Sequence, residues 1–125
     1  MAKNTQHKIF GYARISTKKQ NIERQVRNIH AECKEAVIVR ETYTGTTTTR
    51  PEFEKLLRVV KEGDTIIFDS VSRMSRNASE GFALYKELYN RGVNLVFLKE
   101  HHIDTAIYRQ AVKKQIDTII NTDAK

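Results

Sequence analysis

The chain has 125 residues, 39% of them hydrophobic and 30% charged, with a formal net charge of +7. That length suits one compact domain with a single core. No apolar run approaches the ~20 residues that cross a bilayer. The polar start from Met1 to Lys8 lacks the apolar segment of a secretory leader, and a single cysteine, Cys33, excludes an internal disulfide and fits a reducing cytoplasm. The positive balance favours polyanions such as nucleic acid, through phosphate contacts and counterion release, and argues against a cationic substrate.

Ile9 to Ile15 (IFGYARI) is a mostly apolar run between polar residues, the pattern of a strand covered on both faces. Thr17-Lys18-Lys19-Gln20 matches a capping box and predicts a helix start. The helix that follows places Ile22, Val26, Ile29 and Cys33 on one face. Ala36 to Val39 reads as a second strand, and Thr42 to Thr49 as a polar loop. Thr49-Arg50-Pro51-Glu52 is a second capping box, with Pro51 in the first turn where its missing N–H costs little. Its helix is expected to bury Phe53, Leu56, Leu57 and Val60 and to end at Gly63. Thr65 to Phe68 is a third strand and Ser70 to Asn77 a polar connection carrying arginines. Ala78 to Arg91 reads as a helix with Phe82, Tyr85, Leu88 and Tyr89 inward, closed by Gly92. Val93 to Leu98 is a fourth strand. A last amphipathic stretch carries Ala111, Val112, Ile116, Ile119 and Ile120. Strands alternating with helices predict a single α/β domain, a mostly parallel central sheet flanked by helices. In such sheets function gathers at the carboxyl ends of the strands, here after Ile15, Arg40 and Phe68.

Three segments at those ends carry chemistry. In Tyr12-Ala13-Arg14-Ile15-Ser16-Thr17, alternate residues of an extended chain share a side, so Tyr12, Arg14 and Ser16 would lie together. A hydroxyl beside a permanent cation near a helix start suits a phosphate; the same residues also suit a plain helix cap with Arg14 paired to a carboxylate. In Ser70 to Asn77, Arg73 and Arg76 are three apart, so a helical turn would stack them into a clamp for a phosphodiester; a solvated loop with two surface arginines is the plainer reading. In Tyr43 to Arg50, hydroxyls, Gly45 and Arg50 could touch a DNA backbone, or simply form a polar loop before a helix cap.

Taken in order, Tyr-x-Arg-x-Ser-Thr at the end of strand one, Gln25 on the next helix, Thr44-Gly45, Arg50-Pro51, Gly63-Asp64 before strand three and Ser72-Arg73-Met74-Ser75-Arg76 resemble the catalytic domain of the serine recombinases: the resolvases, invertases and large serine integrases. The resemblance runs from about Lys8 to about Lys99. It implies a resolvase-like fold and cleavage and rejoining of double-stranded DNA by transesterification through a 5′-phosphoserine, with Ser16 as nucleophile. It implies that Arg14, Arg73 and Arg76 are the catalytic, phosphate-binding arginines and that Arg50 joins them on DNA. Tyr12, Gln25, Thr44, Asp64 and Ser72 then occupy supporting positions. It implies no metal, no nucleotide and no other cofactor. Many members carry aspartate where this chain has Ser72, which leaves the carboxylate proton donor unassigned and keeps a second reading open, a non-catalytic DNA- or phosphate-binding module on the same fold; large serine recombinases often show Ser-Arg at this place. Family members continue into a long dimerisation helix and a DNA-binding region, and act as dimers that pair into tetramers. The resemblance therefore makes residues 1–125 the catalytic domain, with those parts beyond Lys125.

Other polar residues read as structural. His101 and His102 are adjacent and have no third ligand at metal spacing. Cys33 lies on an apolar helix face, as core rather than nucleophile. His30 is an ordinary helix residue, and Met74 is expected to pack inward between its two arginines. A flavodoxin- or receiver-like domain would need acidic residues at the strand ends, where this chain has arginine and serine. No glycine-rich phosphate loop indicates ATP use.

Overall fold

The computed structural model describes residues 6–15, 22–42, 49–75 and 77–123. The capping box at Thr17 to Gln20, most of the threonine-rich loop, and Ser16, Thr44 and Arg76 lie outside the described residues.

Four strands, β1 (Ile9–Ile15), β2 (Val37–Thr42), β3 (Thr65–Phe68) and β4 (Asn94–Phe97), form one sheet in the order β2-β1-β3-β4. Every pairing is parallel. The crossovers are helices: α1 (Ile22–Glu32), α2 (Pro51–Val59), then a single turn, α3 (Val71–Met74), followed by α4 (Ala78–Asn90). A short 3-10 turn at His101–Ile103 leads into α5 (Thr105–Asp123). The expected α/β domain with a parallel central sheet and flanking helices is therefore the observed one.

Strand β1 is central, and its alternating side chains feed two cores. Phe10 and Tyr12 join Phe53 and Leu56 of α2, Ile66 and Phe68 of β3, Met74, Leu88 of α4 and Leu95 and Phe97 of β4. Ala13 faces the other way, with Ile67, against Val26 and Ile29 of α1. Aromatic rings knit the first core, with Tyr12 4.7 Å from Phe53 and Phe68 stacked on Phe97 at 5.3 Å between centroids. Such contacts add to the ~1.5–3 kcal/mol that burying each large apolar side chain contributes. Gly92, at φ +81°, takes the left-handed conformation that ends α4 and turns the chain into β4.

Three sequence expectations change. The cap of α2 is Arg50, whose side chain makes no cap bond, rather than a Thr49-Glu52 box. The helix also ends at Val59, ahead of Gly63. Phe82, expected inward, is 69% exposed, because only one stripe of α4 meets the sheet and Leu88 occupies it. On α5, Ile116, Ile119 and Ile120 are exposed. Among the described residues no helix is long and apolar enough to cross a membrane.

Candidate active site

Parallel strands bring β1, β2 and β3 to one carboxyl edge, where the chain leaves β3 through Asp69 and Ser70 into α3. A single helical turn exposes carbonyl oxygens that no later N–H can reach, and its dipole makes that end negative. Two arginines from distant parts of the chain satisfy them. Arg14, on β1 and 4% exposed, donates from Nη2 to the Ser72 carbonyl at 2.8 Å and from Nε to the Arg73 carbonyl at 3.2 Å. Arg50 donates from Nη1 to the Met74 carbonyl at 2.7 Å and, more weakly, to that of Arg73 at 3.4 Å. The Arg50 guanidinium also lies 4.3 Å over the Phe53 ring.

The carbonyl of Arg73 thus accepts from two cations that the backbone of α3 holds in place. The Nε of Arg73 is buried and has no partner among the described residues. A buried guanidinium N–H without an acceptor is costly, and it is the feature that an anion would correct.

Behind these arginines two buried side chains set the edge. Gln25 of α1 pairs with both backbone groups of Arg14: Arg14 N donates to Oε1 at 2.9 Å, and Nε2 donates to the Arg14 carbonyl at 2.8 Å. Glu41 of β2 is buried and accepts from the Tyr12 hydroxyl and from Phe53 N, both at 2.9 Å, and from Glu52 N at 3.2 Å. It therefore caps α2 in place of the local residues, and it fixes the turn from which Arg50 reaches α3. Burial first, then the charge and hydrogen bond of Glu41, push the Tyr12 phenol far above its usual range and keep it a neutral donor.

The residues singled out from the sequence fall into three groups. Tyr12, Arg14, Gln25, Arg50, Ser72 and Arg73 come together at this edge. Ser72 is exposed, and its hydroxyl lies 2.9 Å from that of Ser70. Ser16, Thr44 and Arg76 lie outside the described residues; in sequence, Ser16 directly follows the last residue of β1. Asp64 does not join the group. It sits at the amino end of β3, the opposite edge of the sheet, where its carboxylate accepts from Lys8 N and Lys61 N, each at 2.9 Å. Its conformational task is to tie the entry of β1 to the turn before β3.

Sequence reading missed Glu41 and Glu100. Glu100 Oε1 accepts from Val71 N at 2.8 Å, at the start of α3. No signal in the sequence singled out Glu41, which stands between Arg40 and Thr42 after the apolar run of β2 has ended at Val39. Its neighbour Arg40 pairs with Glu23 of α1. Among the described residues no group of three His, Cys, Asp or Glu could hold a metal. His101 pairs with Asp104 at 2.7 Å, and Cys33 packs against the α1-side core.

Residues 9–122 match the family described as Resolvase, N terminal domain. Over 94 residues the chain is 38% identical to the transposon Tn501 resolvase of Pseudomonas aeruginosa, covering 75% of this chain and 48% of that protein. Over 98 residues it is 34% identical to the DNA-invertase of Enterobacteria phage P7, covering 78% and 52%. A serine recombinase from Sulfolobus solfataricus superposes with a TM-score of 0.62 at 23% identity over 74% of this chain and 69% of that one. A resolvase family site-specific recombinase from Streptococcus pneumoniae superposes at 0.58 and 19% identity over 95% of each chain. At such identities these structures speak for the fold. The chain spans about half the length of the curated relatives it matches. Arginines converging on the turn after β3 thus occur in a chain whose sequence and fold point the same way: it belongs to the resolvase N-terminal domain family of serine recombinases.

Proposed function

We propose that this chain is the DNA-cleaving part of a site-specific recombinase. In this reading Ser16 Oγ attacks a backbone phosphorus, a serine–phosphate bond forms, the bond to the 3′ oxygen breaks, and that oxygen leaves as a 3′ hydroxyl carrying a proton. The phosphodiester energy is conserved in the 5′-phosphoserine, so attack by a new 3′ hydroxyl reverses the step without ATP. Arg14, Arg50, Arg73 and Arg76 stabilise the charge that spreads over the equatorial oxygens, and the reaction tolerates EDTA. Tyr12 and Gln25 act from behind, and Thr44 and Ser72 border the phosphate.

The observation that carries this reading is the buried Nε of Arg73, without a partner among the described residues, in the turn whose carbonyls Arg14 and Arg50 hold. The test grafts this chain in place of the matching half of the Tn501 resolvase and offers that resolvase's own site, nicked so that cleavage traps the adduct. Wild type should give a covalent protein–DNA band on a denaturing gel, and Ser16→Ala none; a band surviving that change removes Ser16 from its role. Ser72, where many members carry aspartate, favours a second reading as a non-catalytic DNA- or phosphate-binding module, and a wild-type chimera that binds the site but never yields the band would establish it.

The same reading includes double-stranded DNA as partner and self-association to dimers and tetramers. A groove between α4 and α5, lined by Phe82, Tyr85, Tyr89, Ile107 and Tyr108, leaves apolar surface in water, and the exposed isoleucines of α5 continue it. Sedimentation of wild type against Phe82→Ser checks this: the substitution should weaken association and leave the monomer folded.

A further inference from the structure

We infer that Glu100 is the positioning residue for Arg73, holding the amino end of the turn α3 whose carbonyl end Arg14 and Arg50 hold. The inference rests on the reading of Arg73 as a phosphate ligand. One turn of helix cannot sustain itself, since fixing its dihedrals yields too few hydrogen bonds. At the ends of α3, Arg73 N donates to the Ser70 carbonyl at 3.0 Å and Ser75 N to the Val71 carbonyl at 3.2 Å. The cap residue, Ser70, makes no side-chain cap bond, and its hydroxyl is turned to Ser72. The carboxylate of Glu100 supplies what the local sequence does not, a charged acceptor 2.8 Å from Val71 N.

The turn is consequently held at both poles, by an anion at its positive end and by two guanidinium groups at its negative end. The anion's own support is firm. Leu98 N and Lys99 N donate to the carbonyls of Phe68 and Asp69 at 2.9 and 3.1 Å, which extends the β3–β4 pairing to the residue before Glu100. Glu100 N donates to the Phe97 carbonyl, and Ile103 N to that of Glu100, each at 3.0 Å. The Tyr85 hydroxyl on α4 then donates to the Ile103 carbonyl at 2.7 Å. Without Glu100, Arg14 and Arg50 would still bind the last carbonyls, but the first N–H of the turn would be unanchored and Arg73 free to swing with it.

The test uses the 15N-labelled chain and two NMR readouts: hydrogen exchange at the Val71 and Arg73 amides, and a titration with inorganic phosphate followed at the Arg73 Nε–Hε resonance. Losing a charged hydrogen bond predicts that Glu100→Ala speeds Val71 exchange, and weakens phosphate at Arg73, by about tenfold or more. Glu100→Gln keeps an acceptor oxygen and should restore both to within about threefold. If Glu100→Ala fails to fold, Glu100→Asp, one methylene too short to reach Val71 N, should show the same two losses. Unchanged exchange and affinity in the folded Ala or Asp variant would overturn the inference, as would a Gln variant no better than Ala. Faster exchange in a protein whose wild-type Arg73 ignores phosphate would remove the ligand role of Arg73, reducing Glu100 to a structural anchor.

Discussion

The Tyr12 hydroxyl donates to the Glu41 carboxylate at 2.9 Å, joining the central strand to the strand beside it beneath the arginine cluster. The same carboxylate receives the first N–H groups of α2, so one buried side chain serves a strand, a helix and a phenol at once. This is how an apolar layer can lie beneath the guanidinium groups of Arg14 and Arg50: the acid it takes in from β2 has both carboxylate oxygens filled by donors.

Tyr12 should make the fold sensitive to alkali. Burial, then Glu41, raise its ionisation well above the ordinary 10.0. The unfolded phenol ionises near 10 while the folded one stays neutral, so its contribution is complete below that pH and is lost as pH rises above it. Urea unfolding should therefore weaken above pH 10, and Tyr12→Phe should remove ~1.4 kcal/mol of that decline per pH unit. At neutral pH the same substitution should cost about 1–2 kcal/mol for the lost charged hydrogen bond. An identical alkaline decline in both proteins would contradict the assignment.

Gly11 is required by the close approach of α1 to β1. A Cβ there would lie 2.5 Å from Ile29 Cγ2 and 3.0 Å from Ile38 Cδ1. Gly11→Ala should destabilise by ~1–3 kcal/mol through overpacking. Combined with Ile29→Ala, the total should fall short of the sum of the single effects by about 1 kcal/mol, because the added methyl enters the space vacated. Additive losses in denaturant titrations would show that the contact does not decide the residue.

His101 should titrate late. Its hydrogen bond to Asp104, followed by that residue's charge, lifts it above the ordinary 6.5. The charged pair contributes fully below 6.5, and the contribution disappears as pH rises through the higher folded value. Exposure keeps the effect on stability under ~1 kcal/mol. The imidazole proton shift should have its midpoint above 6.5 in wild type and return towards it in Asp104→Asn, whereas a midpoint unmoved by that substitution would mean the pair does not form in solution.

Element type was readable because the signals are local. The apolar run from Ile9 to Ile15, the spacing of Val26 and Ile29, and Gly92 after α4 all say what the structure confirms. Phe82 shows where such signals stop: helical periodicity offers more apolar residues than one sheet face can cover, and packing chooses among them. Asp64 shows the same limit for polar residues: its position before β3 puts it at the amino edge, and only the structure shows that its carboxylate there joins Lys8 N to Lys61 N.

By itself, the sequence determined the alternation of strands and helices, the parallel sheet that follows from it, and the set of arginines and hydroxyls placed after the strands. Only the tertiary structure decided that Arg14 and Arg50 close on the carbonyls of α3, that Glu41 caps α2, and that Glu100 holds α3 from 29 residues away. The reason is physical: the unsatisfied N–H and C=O groups at element ends must find partners wherever packing brings them, and nothing in the order of residues records which side chain will arrive.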